Sequence, residues 1–89
     1  MASILIQHTV KDYAEWKKVF DSAKEMRTVN GELSAQVYRD ASDPNKITTI
    51  NKWNSQANAQ KFAHSPELMA AMEKAGVEGA PNIYFLNEA

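Results

Sequence analysis

Between Ile4 and Trp16 the chain reads ILIQHTVKDYAEW, and its apolar period changes abruptly inside that stretch. Ser3–Thr9 (SILIQHT) is rich in β-branched residues and gives way to polar ones, the pattern of a strand. Ile4, Leu5 and Ile6 are consecutive, so apolar side chains point to both faces, and the strand is expected in the interior of its sheet. Asp12 then stands at a helix N-cap position with Glu15 three residues on, an Asp form of the capping box. Beyond it Trp16, Val19, Phe20, Ala23, Met26 and Arg27 recur at helical spacing, with Lys17, Lys18, Asp21, Lys24 and Glu25 on the other side. Asn30–Gly31 supplies a left-handed stop. About 18 helical residues at ~1.5 Å each span roughly 27 Å, which matches a strand of about eight residues. A strand that runs directly into a helix of its own length has one economical arrangement: the helix folds back on the sheet.

The remaining segments fall into place as partners for that unit. Leu33–Asp40 (LSAQVYRD) and Lys46–Trp53 (KITTINKW) flank the turn-rich Ala-Ser-Asp-Pro-Asn, which predicts a hairpin. With a loop of Ser42–Asn45, Tyr38 faces Thr49, Gln36 faces Asn51 and Ser34 faces Trp53, leaving Leu33, Ala35, Val37 and Ile50 on the opposite face. A loop one residue longer would mix the two faces. Ser55–His64 (SQANAQKFAH) reads as a helix capped by Asn54 or Ser55, with Ala59, Phe62 and Ala63 inward. Ser65–Pro66 interrupts it with a cap and a first-turn proline. Pro66–Ala75 then buries Leu68, Met69 and Met72 and closes at Gly76. Gly79–Pro81 is an extended connection, and Asn82–Asn87 (NIYFLN) is the last strand.

The order β-α-β-β-α-β predicts an α+β, ferredoxin-like domain over residues 1–89: a four-stranded antiparallel sheet with helices on one face. On the other face, Tyr38, Trp53 and either Tyr84 with Leu86 or Ile83 with Phe85 would meet water. A second copy covering that face would close a barrel with a partly polar interior. An 89-residue chain without cysteine has a thin core and neither a disulfide nor a thiolate metal site to reinforce it, which points the same way.

Composition removes several classes of function. Ten basic against eleven acidic residues, scattered, argue against nucleic acid as the partner. No run approaches the ~20 apolar residues of a membrane span, and the N-terminus lacks the basic start and long apolar middle of a signal peptide, so a cytoplasmic location is the expectation. There is no glycine-rich phosphate loop, Gly-x-Ser-x-Gly elbow or cysteine nucleophile, and hence no encoded nucleotide, flavin or acyl-enzyme chemistry. Two histidines without convergent carboxylates do not make a metal site.

Taken together, His8, Asp12-Tyr13 with Trp16 and Phe20, Asp43-Pro44-Asn45, Trp53, Phe62 with Ser65-Pro66-Glu67-Leu68, Met72 and Ala75-Gly76-Val77 before Pro81 resemble a known pattern. It is that of the dimeric α+β barrel proteins related to antibiotic-biosynthesis monooxygenases, especially small bacterial members called monooxygenase-like or cyclase-like. The resemblance spans nearly the whole chain. It implies a homodimer, and a superfamily whose members include cofactor-free oxygenases, haem-degrading enzymes, lactone isomerases, cyclases and proteins with no demonstrated activity. In the oxygenase branch, polar and aromatic residues orient a phenolic or quinol substrate that itself activates dioxygen, with no cofactor. Trp53 is similar to a cavity tryptophan of that branch. His8 and His64 do not fall where the axial histidine of the haem-degrading branch lies.

Six residues are candidates for a site. His8, at the end of the first strand, has a reference pKa of about 6.5, suited to taking a proton from a phenol or from a carbon beside a carbonyl. It shares a face with Ile4 and Ile6, which also suits a packed histidine. Trp53 either stacks on a planar ligand or anchors the dimer interface. Tyr38 and Tyr84 either donate to a ligand oxygen or pack. Asn51 and Gln36 are amides that need partners if buried, and a small apolar or aromatic ligand is one such partner. His64, by contrast, is expected to be an exposed helix C-cap. The favoured function is cofactor-independent oxygenation of a phenolic, quinol or polyketide-like substrate. The alternatives are isomerisation or cyclisation, or a non-catalytic module that binds a metabolite or dimerises.

Overall fold

The computed structural model describes residues 2–89. Its elements are β1 (Ala2–Val10), α1 (Tyr13–Ser22), α2 (Lys24–Val29), β2 (Glu32–Arg39), β3 (Lys46–Trp53), α3 (Gln56–Ala63), α4 (Pro66–Lys74) and β4 (Val77–Asn87). The strands form one antiparallel sheet in the order β2-β3-β1-β4. This is the ferredoxin-like α+β arrangement, and β1, with its Ile-Leu-Ile run, lies in the interior as its pattern requires.

Helix starts are set by the residues the sequence marks. The Asp12 side chain accepts a hydrogen bond from the Ala14 N–H, Ser55 from the Asn58 N–H and Ser65 from the Leu68 N–H, each satisfying a donor left open in a first turn. Pro66 occupies the first turn of α4. The first helix departs from expectation by breaking at Ala23 (φ −91°, ψ 2°) into α1 and α2. The Arg27 guanidinium donates to the Phe20 carbonyl at 2.7 Å, satisfying an acceptor in the last turn of α1. Gly31 ends α2 at φ +114°, a left-handed conformation that favours glycine, and a Cβ there would stand 2.6 Å from the Asn54 side-chain oxygen and push it aside.

Ala2, Ile4, Ile6, His8 and Val10 of β1 turn toward the helices and are buried. The inward residues of β3 are Ile47, Thr49, Asn51 and Trp53. This corrects the hairpin register. Tyr38 pairs with Thr48, Gln36 with Ile50 and Ser34 with Lys52, one residue away from the register a Ser42–Asn45 loop would give. The loop is longer because Asp40 organises it: its carboxylate accepts from the N–H groups of Ser42 and Asp43, and the Asp40 N–H donates to the Lys46 carbonyl. Asn45 is drawn away to β1 and α1, where its side chain accepts from the Tyr13 N–H and its carbonyl from the Val10 N–H. A one-residue slip inverts every side chain. Trp53 and Asn51 therefore lie under the helices, and Tyr38 and Gln36 remain on the open face.

Two irregularities interrupt the ladders. A bulge between Glu32 and Ser34 leaves Leu33 as the extra, exposed residue and turns Glu32 inward opposite Trp53. In β4, which begins five residues earlier than the expected Asn82 start, Gly79–Pro81 fall between the partners of Gln7 and Thr9, so pairing is broken beside His8.

Candidate functional site

The core divides into two clusters. Ala2, Ile4, Ile6, Trp53, Ala59 and Phe62 form one; Val10, Trp16, Ile47 and Ala75 form the other. Between sheet and helices lies a cavity of about 60 Å³ that borrows its apolar walls from both. The sheet contributes Ile6, His8, Thr49 and Asn51. The helical stripe read from the sequence supplies the roof, with Trp16, Val19, Phe20, Ala23, Met26 and Arg27 all lining it, and Phe62, Leu68, Ala71, Met72 and Ala75 complete it. The buried polar side chains His8, Thr49, Asn51 and Arg27 thus converge on one apolar space.

His8 is 8% exposed, tilts against Trp16 at 5.6 Å between ring centroids, and has no hydrogen-bond partner at either ring nitrogen among the described residues. Burial lowers its pKa below the ordinary 6.5, because the charged imidazolium loses more hydration than the neutral ring. The neutral ring offers the cavity one donor and one acceptor. Trp16 stacks on Phe20 at 4.9 Å, and Tyr13 on Trp16 at 6.0 Å. Arg27 closes one end of this aromatic wall, 3.8 Å above the Phe20 ring, and Arg39 the other, 3.9 Å above Tyr13.

At the far end of the cavity is a buried ion pair. Arg27 Nε donates to both Glu32 oxygens at 3.0 and 3.2 Å, and Asn51 Nδ2 donates to Glu32 Oε2 at 2.7 Å. Asn51, 4% exposed, keeps its Oδ1 without a partner among the described residues. Arg27 carried a sequence signal, as a charge within a buried apolar stripe. Glu32 carried none, since its inward turn depends on the bulge.

The sequence candidates are therefore split between two faces. His8 and Asn51 line the cavity together. Trp53 is fully buried beneath it against Phe62, at 4.7 Å, and is not among the lining side chains. Tyr38, Gln36 and Tyr84 sit on the open face of the sheet, where the Tyr38 hydroxyl donates to Gln36 at 3.3 Å and both tyrosines are half exposed. His64 is the exposed C-cap of α3. Among the described residues no group of three or more His, Cys, Asp or Glu could hold a metal ion, and no helix is long and apolar enough to cross a membrane.

The sequence model of the antibiotic biosynthesis monooxygenase family matches residues 3–74, four-fifths of the chain and every element except β4. The chain belongs to the antibiotic biosynthesis monooxygenase family. No curated protein matches it in sequence. Among solved structures, the family fold recurs at low identity. An antibiotic biosynthesis monooxygenase superposes with a TM-score of 0.75 at 14% identity, covering 100% of this chain and 99% of that one. SnoaB from Streptomyces nogalater, a cofactor-independent oxygenase, gives 0.77 at 14%, covering 98% and 91%. A conserved protein from Methanosarcina mazei gives 0.77 at 15%, covering 99% and 92%. At such identities the likeness is one of fold, and the chemistry of this family member has to be argued from its own cavity.

Proposed function

We propose that this member of the family is a cofactor-independent monooxygenase acting on a phenolic or quinol substrate held in the cavity under the helices. The observation that carries the reading is His8: a buried, neutral imidazole with both nitrogens free, lining an apolar space. A substrate hydroxyl hydrogen-bonds to the free ring nitrogen and transfers its proton there, and the aromatic wall of Trp16 and Phe20 excludes water from the resulting anion. For a quinol the reaction balances with dioxygen as the only co-substrate. The quinol supplies four electrons, one oxygen atom enters the ring to give a hydroxyquinone, and the other leaves as water.

The protein acts as a homodimer through its open sheet face. Tyr38, Tyr84 and Leu86 are exposed there, with Leu5 and Ile50 half-buried beside them, a contiguous run of apolar and aromatic side chains on one face. A second copy would bury it. Tyr38, Gln36 and Tyr84 then belong to the interface rather than to the cavity.

Oxygen uptake with a panel of quinols tests the catalytic reading. The wild type should consume dioxygen with at least one of them, and His8→Ala should slow turnover by about 10²-fold or more, the usual share of a general base. No turnover by the wild type, or turnover untouched by the substitution, overturns it. One observation favours a second reading, a binding or isomerising protein: among the described residues, Arg27 is the one charged side chain lining the cavity, and it is already paired with Glu32. Ligand binding without oxygen uptake would select that reading.

A further inference from the structure

We infer that Met26 is a movable partition between the cavity and a groove outside it, and that the full site takes an elongated ligand. Such a ligand has an apolar end, which passes Met26, and a neutral hydrogen-bonding tail, which stays in the groove. The inference rests on the cavity being a small-molecule site, the reading proposed for it, and uses nothing of the oxidation proposed there.

The volumes call for a moving wall. At about 60 Å³ the cavity is less than half of the ~150 Å³ that holds benzene, so the structure shows it closed. Beside it, between the end of α2 and the start of α3 and α4, lies a groove of about 500 Å³. Met26 and Phe62 line both spaces, and so stand between them. With either side chain turned aside, the cavity runs into the groove and its own volume no longer limits the ligand.

Of the two, Met26 is the one free to move. Phe62 is 5% exposed and held at 4.7 Å against the fully buried Trp53. Met26 is only half-buried, and its unbranched thioether side chain changes rotamer readily. The backbone beneath it stays in place, because the neighbouring Arg27 is bonded to Glu32 and to the Phe20 carbonyl. The gate is therefore one side chain rather than a helix.

The groove differs in chemistry from the cavity, and that difference describes the ligand. Asn30, Asn54 and Asn58 line it. Asn58 Nδ2 donates to Asn54 Oδ1 at 2.8 Å and Asn30 Nδ2 to the Met26 carbonyl at 2.7 Å, and each amide keeps further donor or acceptor capacity. Lys61 and Glu67 add one charge of each sign, so a charged tail would gain from one and lose to the other. A tail of hydroxyl or amide groups suits such a surface.

Phenyl β-D-glucoside, an apolar ring on a neutral hydroxylated tail, is the probe. The open form is a minor one, of about 10% or less, so Met26→Ala, which is always open, should bind the probe about tenfold or more tightly than the wild type. Met26→Trp fills the passage with a stiffer side chain and should weaken binding about tenfold. Affinities of all three proteins within about threefold overturn the inference, as does a probe that neither wild type nor Met26→Ala binds. Phenol, which lacks the tail, should bind the wild type about tenfold more weakly, and equal affinity for the two probes refutes the role of the groove. Should Met26→Ala fail to fold, the methionine methyl resonances of the wild type decide. Those of Met26 and of Met72, which lines the cavity, should shift with the probe, while that of Met69, exposed and outside both spaces, should not. A Met26 methyl that does not move refutes the gate. Oxygen uptake separates the two proposals: quinol turnover undiminished in Met26→Trp overturns the gate and leaves the catalytic reading standing. Probe binding that follows residue 26, without any oxygen uptake, does the reverse.

Discussion

Replacing Arg27 by methionine isolates the buried ion pair, because the apolar stem is kept and the charge is lost. Arg27 and Glu32 have only 6% and 5% of their side-chain surfaces exposed, so little water is available to take over either role. Removing the guanidinium deletes two contacts to the carboxylate, the 2.7 Å bond to the Phe20 carbonyl and the cation–π contact at 3.8 Å. Among the described residues it leaves Glu32 with Asn51 as its one remaining donor. Breaking a buried pair from one side costs about 3–5 kcal/mol, most of it the penalty of an uncompensated buried charge. A domain of this size has roughly 5–15 kcal/mol in all, and each kilocalorie shifts Tm by about 4–8 °C, so the loss should exceed ~12 °C. Urea unfolding at fixed protein concentration measures it, with the m-value checked for constancy. The double variant Arg27→Met/Glu32→Leu should recover much of the loss, because apolar side chains of similar volume can replace a buried ion pair at little net cost. A single-variant loss below about 1 kcal/mol, or a double variant no more stable than the single, would refute the view that Glu32 is held as a buried carboxylate by Arg27.

Two further outcomes concern His8 and the open face. The lowered pKa of His8 makes stability depend on pH in one direction: above 6.5 the ring is neutral folded or unfolded, and below it the unfolded chain takes up a proton that the folded chain resists. Stability should therefore fall as pH drops below 6.5, by at most about 1.4 kcal/mol per pH unit from this group, until the folded ring itself protonates. His8→Gln should remove that component from unfolding curves taken across the range, and identical pH profiles for the two proteins would refute it. On the open face, Tyr84→Lys places a charge on the surface that a second copy would have to cover. Sedimentation should show the wild type as two chains and the variant as one at micromolar concentration, and a wild type that sediments as a single chain contradicts the dimer.

Much of the fold was legible because it is written in local chemistry. Asp12, Ser55 and Ser65 cap helices through their own side chains, Pro66 starts one, Gly31 ends another, and the Ile4–Ile6 run marks an interior strand. These signals act over a few residues and need no knowledge of the rest of the chain. The stripe from Trp16 to Arg27 also marked the roof of the cavity, since helical spacing fixes which side chains share a face.

The sheet faces were a different matter. Strand side chains alternate with period two, so the position of Asn51 and Trp53 turned on the length of a single loop, and that length is set by Asp40 within it and by Asn45 bonding to a distant strand and helix. The inward turn of Glu32 depends likewise on a bulge that only pairing with β3 creates. Local sequence thus determined the elements, their order and the aromatic roof. Tertiary pairing decided which polar groups meet beneath that roof, because alternation along a strand is blind to register until a partner strand imposes it.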